Sequence, residues 1–137
     1  MSEKEQLTLQ LAKTVAESFS LVSFDGDSHK DVLSVGARFD EGSPQHFSIV
    51  FDLSLLADSC KELSVVYCAD FKLNRDVDRD WVDNSPFANV NAPAIAYPFL
   101  RAFVANIMLN SGYEPVMLPA LNFQSRFNEK KAARSAE

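Results

Sequence analysis

Apolar and polar residues alternate through three stretches in the first half of the chain. In VLSVGARFDE the apolar positions are Leu33, Val35, Ala37 and Phe39. In HFSIVFDLSLL they are Phe47, Ile49, Phe51, Leu53 and Leu55, and in ELSVVYCADFKL they are Leu63, Val65, Tyr67, Ala69, Phe71 and Leu73. Period two gives each segment one apolar face and one wetter face, the pattern of a half-covered strand. The connections EGSPQ and ADSCK are short, so successive strands form antiparallel hairpins and the sheet is covered on one side. A shorter strand, FSLVSFDGDS, precedes them and ends in the turn signal Asp25-Gly26-Asp27.

Two segments have helical spacing. Leu7, Leu11, Val15 and Phe19 recur every fourth residue, which predicts an N-terminal helix over 1–18 with Glu3 and Glu5 in its first turn. The run from Asn91 to Ser111 predicts the main helix. Asn91 is placed to cap it, Pro93 fits its first turn, Gly112 stops it, and Pro98 kinks it from inside. The expected divisions of a single domain, 1–137, are therefore an N-terminal helix (1–18), a meander (19–74), an acidic loop (75–91), the main helix (92–112), a proline-punctuated crossover (113–127) and a polar tail (128–137).

The main helix is apolar nearly all round. Leu100, Phe103, Val104, Ile107 and Met108 form one stripe, and Phe99, Ala102 and Ala105 widen it. A helix in a two-layer domain buries one stripe against its sheet, so apolar surface is left over, which points to burial against another subunit. Phe99, Leu100, Phe103, Val104, Ile107 and Met108 are the expected interface residues, with Cys68 as a structural or interface thiol.

Composition narrows the function classes. Hydrophobic residues at 47% and charged residues at 23% in 137 residues describe one folded domain. A net charge of −6 argues against nucleic acid as a partner. Two cysteines behind a charged N-terminus with no apolar signal core read as free thiols in the cytoplasm. No apolar run approaches the roughly 20 residues that span a bilayer, so no membrane insertion is expected. His29 and His46 read as solvated loop histidines. Asp76, Asp78 and Asp80 resemble the start of a calcium loop, but Trp81 and Phe87 stand where it needs Gly and Glu. No phosphate loop, zinc spacing or catalytic constellation is present, so neither an enzyme, a cofactor nor a metal is expected.

The run APAIAYPFLRAFVANIMLNSGYEPVMLPALNFQSRF resembles the SecB family of bacterial export chaperones. The resemblance is carried by Pro93, Pro98 and Arg101, by Gly112-Tyr113-Glu114-Pro115, by Leu118-Pro119-Ala120-Leu121-Asn122-Phe123, and by Phe127. It implies an α+β subunit with a four-stranded antiparallel sheet, a long helix packed on it and a short C-terminal helix or tail. It implies a dimer of dimers joined through the main helix, and a holdase that binds unfolded polypeptides, preproteins among them, without ATP. Phe87, Tyr113, Met117, Phe123 and Phe127 lie where a client groove would be lined. Acidic contacts to a SecA-type partner fall at Asp25 and at Asp70, the latter one residue past the family's acidic position, which is Ala69 here; the earlier acidic position is Leu21. The tail is basic at Lys130, Lys131 and Arg134. A dedicated chaperone for one client, such as an antitoxin, and an oligomeric adaptor without chaperone activity are the alternatives.

Overall fold

The computed structural model describes residues 6–58 and 60–135. Four strands, β1 (Leu9–Ser23), β2 (Val32–Arg38), β3 (His46–Ala57) and β4 (Lys61–Leu73), are followed by α1 (Arg79–Asn84), a π-helical turn (Phe87–Asn91), α2 (Ala92–Asn110) and α3 (Phe123–Ser135). The sheet is antiparallel throughout in the order β1-β4-β3-β2.

The three alternating segments are β2, β3 and β4. Their apolar positions pair directly across the ladder, as in Phe51↔Tyr67 and Leu53↔Val65, and form the floor of the core. The N-terminal helix is replaced by a strand. Residues 9–23 run along β4 as β1, and residues 1–5 of the expected helix lie outside the described residues. Two β-bulges explain the misreading. The register shifts between Leu11 and Lys13 and again between Ala16 and Ser18, so Ala12 and Glu17 are extra residues. The side chains level with the core face are then Leu9, Leu11, Thr14, Ala16, Phe19 and Leu21, a sequence with no constant period.

The main helix covers the sheet with a regular column. Ala88, Ala92, Ala96, Leu100, Val104 and Met108 recur every fourth residue and are all at most 1% exposed. The three alanines bring the backbone close to the sheet, and the larger residues fill the space beyond them. Asn91 is not the cap, because helical backbone already begins at the preceding π turn. There Ser85 Oγ accepts the Phe87 N–H, and Asn89 Nδ2 donates to the carbonyls of Val82 and Ser85, satisfying orphan groups at the end of α1. Pro98 sits on the exposed side of α2, so the Ala94 carbonyl that loses its donor faces water. Gly112, at φ +92°, ends the helix. Its N–H bonds Leu109 O and the Tyr113 N–H bonds Met108 O, a complete Schellman motif.

The crossover is tied down at both ends. Tyr97 Oη donates to Pro119 O at 2.6 Å, and Asn122 Oδ1 caps α3 by accepting the Ser125 N–H at 2.9 Å. Residues 128–135 of the expected tail are the greater part of α3, which runs 13 residues, and 136–137 lie outside the described residues. The helical stretch Phe87–Asn110, 24 residues, is by length and composition alone long and apolar enough to cross a membrane, a test that the core helix of a globular domain also passes. Its buried column packs against the subunit's own sheet.

Replacing Ala92 with Leu should lower unfolding free energy by about 1–3 kcal/mol through overpacking of the close helix–sheet contact. The same change at exposed Ala94 should alter it by less than about 0.5 kcal/mol. Urea denaturation of the two variants checks this, and equal effects would contradict the close-packed column.

Candidate functional site

A single helix leaves part of this sheet uncovered. On β2, Leu33, Val35 and Ala37, and Phe39 just after it, are only half-buried, whereas the equivalent positions of β3 and β4 are buried. Between β2 and α3 lies a cleft of about 410 Å³. Its apolar walls include Val35, Ala37, Phe123 and Phe127, and its rim carries Arg79, Asp83, Arg126 and Lys130. Arg79 pairs with Asp83 at 3.2 Å. Arg126 donates to the Leu33 carbonyl at 2.9 Å, so α3 is pinned over one end of β2. Among the described residues, neither Arg126 nor Lys130 pairs with a carboxylate.

The second uncovered surface is the outer side of the helix. Phe87, Ile95, Phe99 and Leu109 are 39%, 41%, 47% and 59% exposed, and together they run its whole length, about 36 Å at the helical rise. Phe19, from β1, is exposed as well and meets Phe103 edge-on at 5.7 Å.

The expected site residues divide accordingly. Phe123 and Phe127 line the cleft, although each is nearly buried; Phe123 also packs edge-on against Tyr97. Phe87 stacks on Trp81 with ring centres 6.4 Å apart, outside the cleft. Tyr113 is half-buried beyond the helix end, and Met117 is the most exposed large apolar residue of the crossover at 74%. Of the expected interface residues, Leu100, Val104 and Met108 lie fully inside the subunit's own core. Phe103 and Ile107 are half-buried, and Phe99 is exposed. The leftover surface is therefore real but lies one residue around the helix, at Ile95, Phe99 and Leu109. Asp25 is exposed in the β1–β2 loop, and Asp70 accepts a hydrogen bond from Ser48 on the outer sheet face. Sequence reasoning missed Arg79, Arg126 and Trp81; the basic run of α3 was the only signal pointing there.

The outer sheet face holds two polar clusters. Cys68 Sγ donates to Glu17 Oε1 at 2.6 Å, and Arg38 pairs with the same carboxylate. Burial, and then the Glu17 bond, push the Cys68 thiol up to about 12. The Cys68 hydrogen bond and Arg38 hold Glu17 below its ordinary value. The bulge at Glu17 turns this residue onto the outer face. His29 is not a solvated loop residue: its side chain is 6% exposed, with Nδ1 3.0 Å from Asp31 and Nε2 3.0 Å from Glu62. Asp31 also accepts the Leu56 N–H, so the cluster clamps the β1–β2 loop to the sheet. Of the acidic loop, Asp78 caps α1 and Asp76 accepts from Gln45.

Residues 41–134 match the model of a family described as SecB, preprotein translocase subunit SecB. A protein-export protein SecB of Anaplasma phagocytophilum is 29% identical over 73 residues, 53% of this chain and 46% of its own length. One from Methylibium petroleiphilum is 36% identical over 52 residues, 38% of this chain and 32% of its own length. The matched stretches thus span less than half of these curated relatives. The fold is similar to the SecB-like chaperone of Mycobacterium tuberculosis, solved in complex with a ChAD peptide from the HigA1 antitoxin. That likeness has a TM-score of 0.62 and 13% identity, and covers 83% of this chain and 88% of that one. It is also similar to a Streptococcus agalactiae protein of unknown function, with a TM-score of 0.63 and 10% identity over 84% of this chain and 99% of that one.

The two thiols should behave differently. In the native protein at pH 8.5, exposed Cys60 should alkylate readily and Cys68 should stay unmodified until the chain is unfolded. The thiol's raised value also makes folding stability hold below its ordinary 9.0 and fall as pH rises from there towards 12. Mass spectrometry after pulsed alkylation checks the first point, and equal labelling would contradict a buried Cys68 thiol bonded to Glu17.

Proposed function

The chain belongs to the SecB family, and from that premise we propose that it is an ATP-independent holdase for non-native polypeptides. The observation that carries this reading is the half-open flank between β2 and α3, a trough with apolar walls and a charged rim that the side chains of the described residues leave unfilled. A holdase needs broad apolar area with adaptable edges rather than a shaped pocket, because it must accept many sequences. Phe123 and Phe127 form the rigid wall of such a trough. Phe87 on Trp81, together with Tyr113 and Met117, extends the apolar surface available to a longer client. By binding the unfolded state, the protein withholds it from aggregation by mass action.

Oligomerisation belongs to the same reading. The stripe Ile95, Phe99 and Leu109 is the surface through which subunits join, a dimer of dimers being the arrangement this family reading favours. The protein acts in the cytoplasm, and its clients include preproteins bound for export. A SecA-type partner would meet the outer sheet face at Asp25 and Asp70. The second reading is a chaperone dedicated to one client. It is favoured by the likeness in fold to a SecB-like chaperone solved with an antitoxin peptide, and by the basic character of α3.

Aggregation of several unrelated denatured proteins, followed by light scattering without nucleotide, separates these readings. The holdase reading expects suppression at stoichiometric ratios with most clients, weakened several-fold by Met117→Asp, because a charge on the client surface costs desolvation. Protection of one client alone favours the dedicated chaperone, and protection of none contradicts both. Phe99→Asp should dissociate the oligomer in sedimentation without unfolding the subunit; unchanged sedimentation would contradict the interface.

A further inference from the structure

The register of the sheet identifies which backbone groups of β2 are unpaired. The Leu73 N–H bonds Gln45 O, which extends the β3–β4 ladder and assigns the odd-numbered residues of β3 to β4. The even-numbered residues therefore turn their N–H and C=O groups towards β2. The Leu56 N–H confirms this: it points to that side and is taken up by Asp31, just before β2 begins. Pairing across β2 and β3 runs Val32↔Ser54, Ser34↔Asp52, Gly36↔Val50 and Arg38↔Ser48, so these residues make the inward bonds. Leu33, Val35 and Ala37 then present their N–H and C=O to the free edge. The Leu33 carbonyl is found doing so, bonded to Arg126. Among the described residues, Val35 and Ala37 keep theirs open where they line the cleft, and at Gly36 no atom beyond its chain neighbours stands within 4 Å of where a side chain would begin.

Charge selects what can lie there. The chain is acidic at −6, yet α3 carries Arg126, Lys130, Lys131 and Arg134 against one carboxylate, Glu129. Lys131 lies over the Phe127 ring and Arg134 bonds Asn84, while Arg126 and Lys130 face the cleft. Asp83, the acidic group of the rim, is already paired with Arg79. An unpaired strand edge beside a cationic wall fits an extended acidic segment, since main-chain bonds supply affinity and the alternate side chains supply selection.

We propose that β2 and α3 form a docking site for an extended polypeptide segment bearing Asp or Glu, which adds to the sheet as a fifth strand beside Val35 and Ala37 and sets its carboxylates against Arg126 and Lys130. This rests on the polypeptide-holding reading and specifies the class of segment it takes. The test is fluorescence anisotropy on the full chain with a β-prone synthetic peptide carrying Glu at alternate positions. Its comparators are the same peptide with Lys, and the Glu peptide N-methylated on the amides that would face β2. The Glu peptide should bind at least about tenfold more tightly than either comparator, and Lys130→Glu or Arg126→Gln should remove the preference over Lys. Both residues are exposed on α3, and Lys130→Glu leaves the Arg126–Leu33 bond in place, so this variant reads the charge without disturbing the hold of α3 on β2. Equal affinity for the Glu and Lys peptides, indifference to N-methylation, or tighter binding of a single-stranded oligonucleotide overturns the proposal. If aggregation suppression persists in that case, the holdase reading stands alone; if suppression and all peptide binding are absent, both fall.

Discussion

The structure depends on a mismatch of widths. Four strands spaced about 4.8 Å apart make a sheet wider than one helix about 10 Å across can cover. The helix lies over β1, β4 and β3, held close by Ala88, Ala92 and Ala96, with Leu100, Val104 and Met108 completing the seal. β2 is left at the flank with its side chains half-buried. A second helix, α3, reaches that flank through Arg126 and the buried rings of Phe123 and Phe127, but the space beneath it is not filled. The cleft is thus a consequence of covering a four-stranded sheet with one long helix and one short one.

The same helix explains the other exposed surface. A segment apolar on all sides can bury one column in its own subunit and must present the rest elsewhere. Here the buried column takes one residue in four, with Pro93 and Tyr97 buried beside it, and Ile95, Phe99 and Leu109 lie on the other side of the helix. The polar clusters on the opposite sheet face do a different task. The Glu17–Arg38 pair spans the sheet from β1 to β2, and the His29 clamp fastens the β1–β2 loop. Neither provides an activated nucleophile, because the one buried thiol is held protonated.

How much of this was legible in the sequence differs by element. Strands β2 to β4 were, because their alternation is unbroken and their turns are short. The helix stop at Gly112 was, because only a left-handed residue closes a Schellman motif there. Of β1 only the end was, as the strand that begins at Phe19: bulges at Ala12 and Glu17 hide the period of the rest, and the residual spacing of Leu7, Leu11, Val15 and Phe19 imitates a helix. The helical spacing of Leu100, Val104 and Met108 was legible, but not which neighbour would cover them. A period gives a face and does not say what packs on it. The cleft was legible only in part. Phe123 and Phe127 were found through family resemblance, whereas Arg79 and Val35 reach it from distant parts of the chain.

The central claim is that the uncovered β2 flank is where a non-native chain is held. Residue-resolved hydrogen exchange tests it most directly, comparing the protein alone with the protein bound to an unfolded client. The Val35 and Ala37 amides, turned to the free edge, should exchange fast in the first state and become protected in the second. Exchange at Val35 and Ala37 left unchanged by a client that is demonstrably bound would contradict the account.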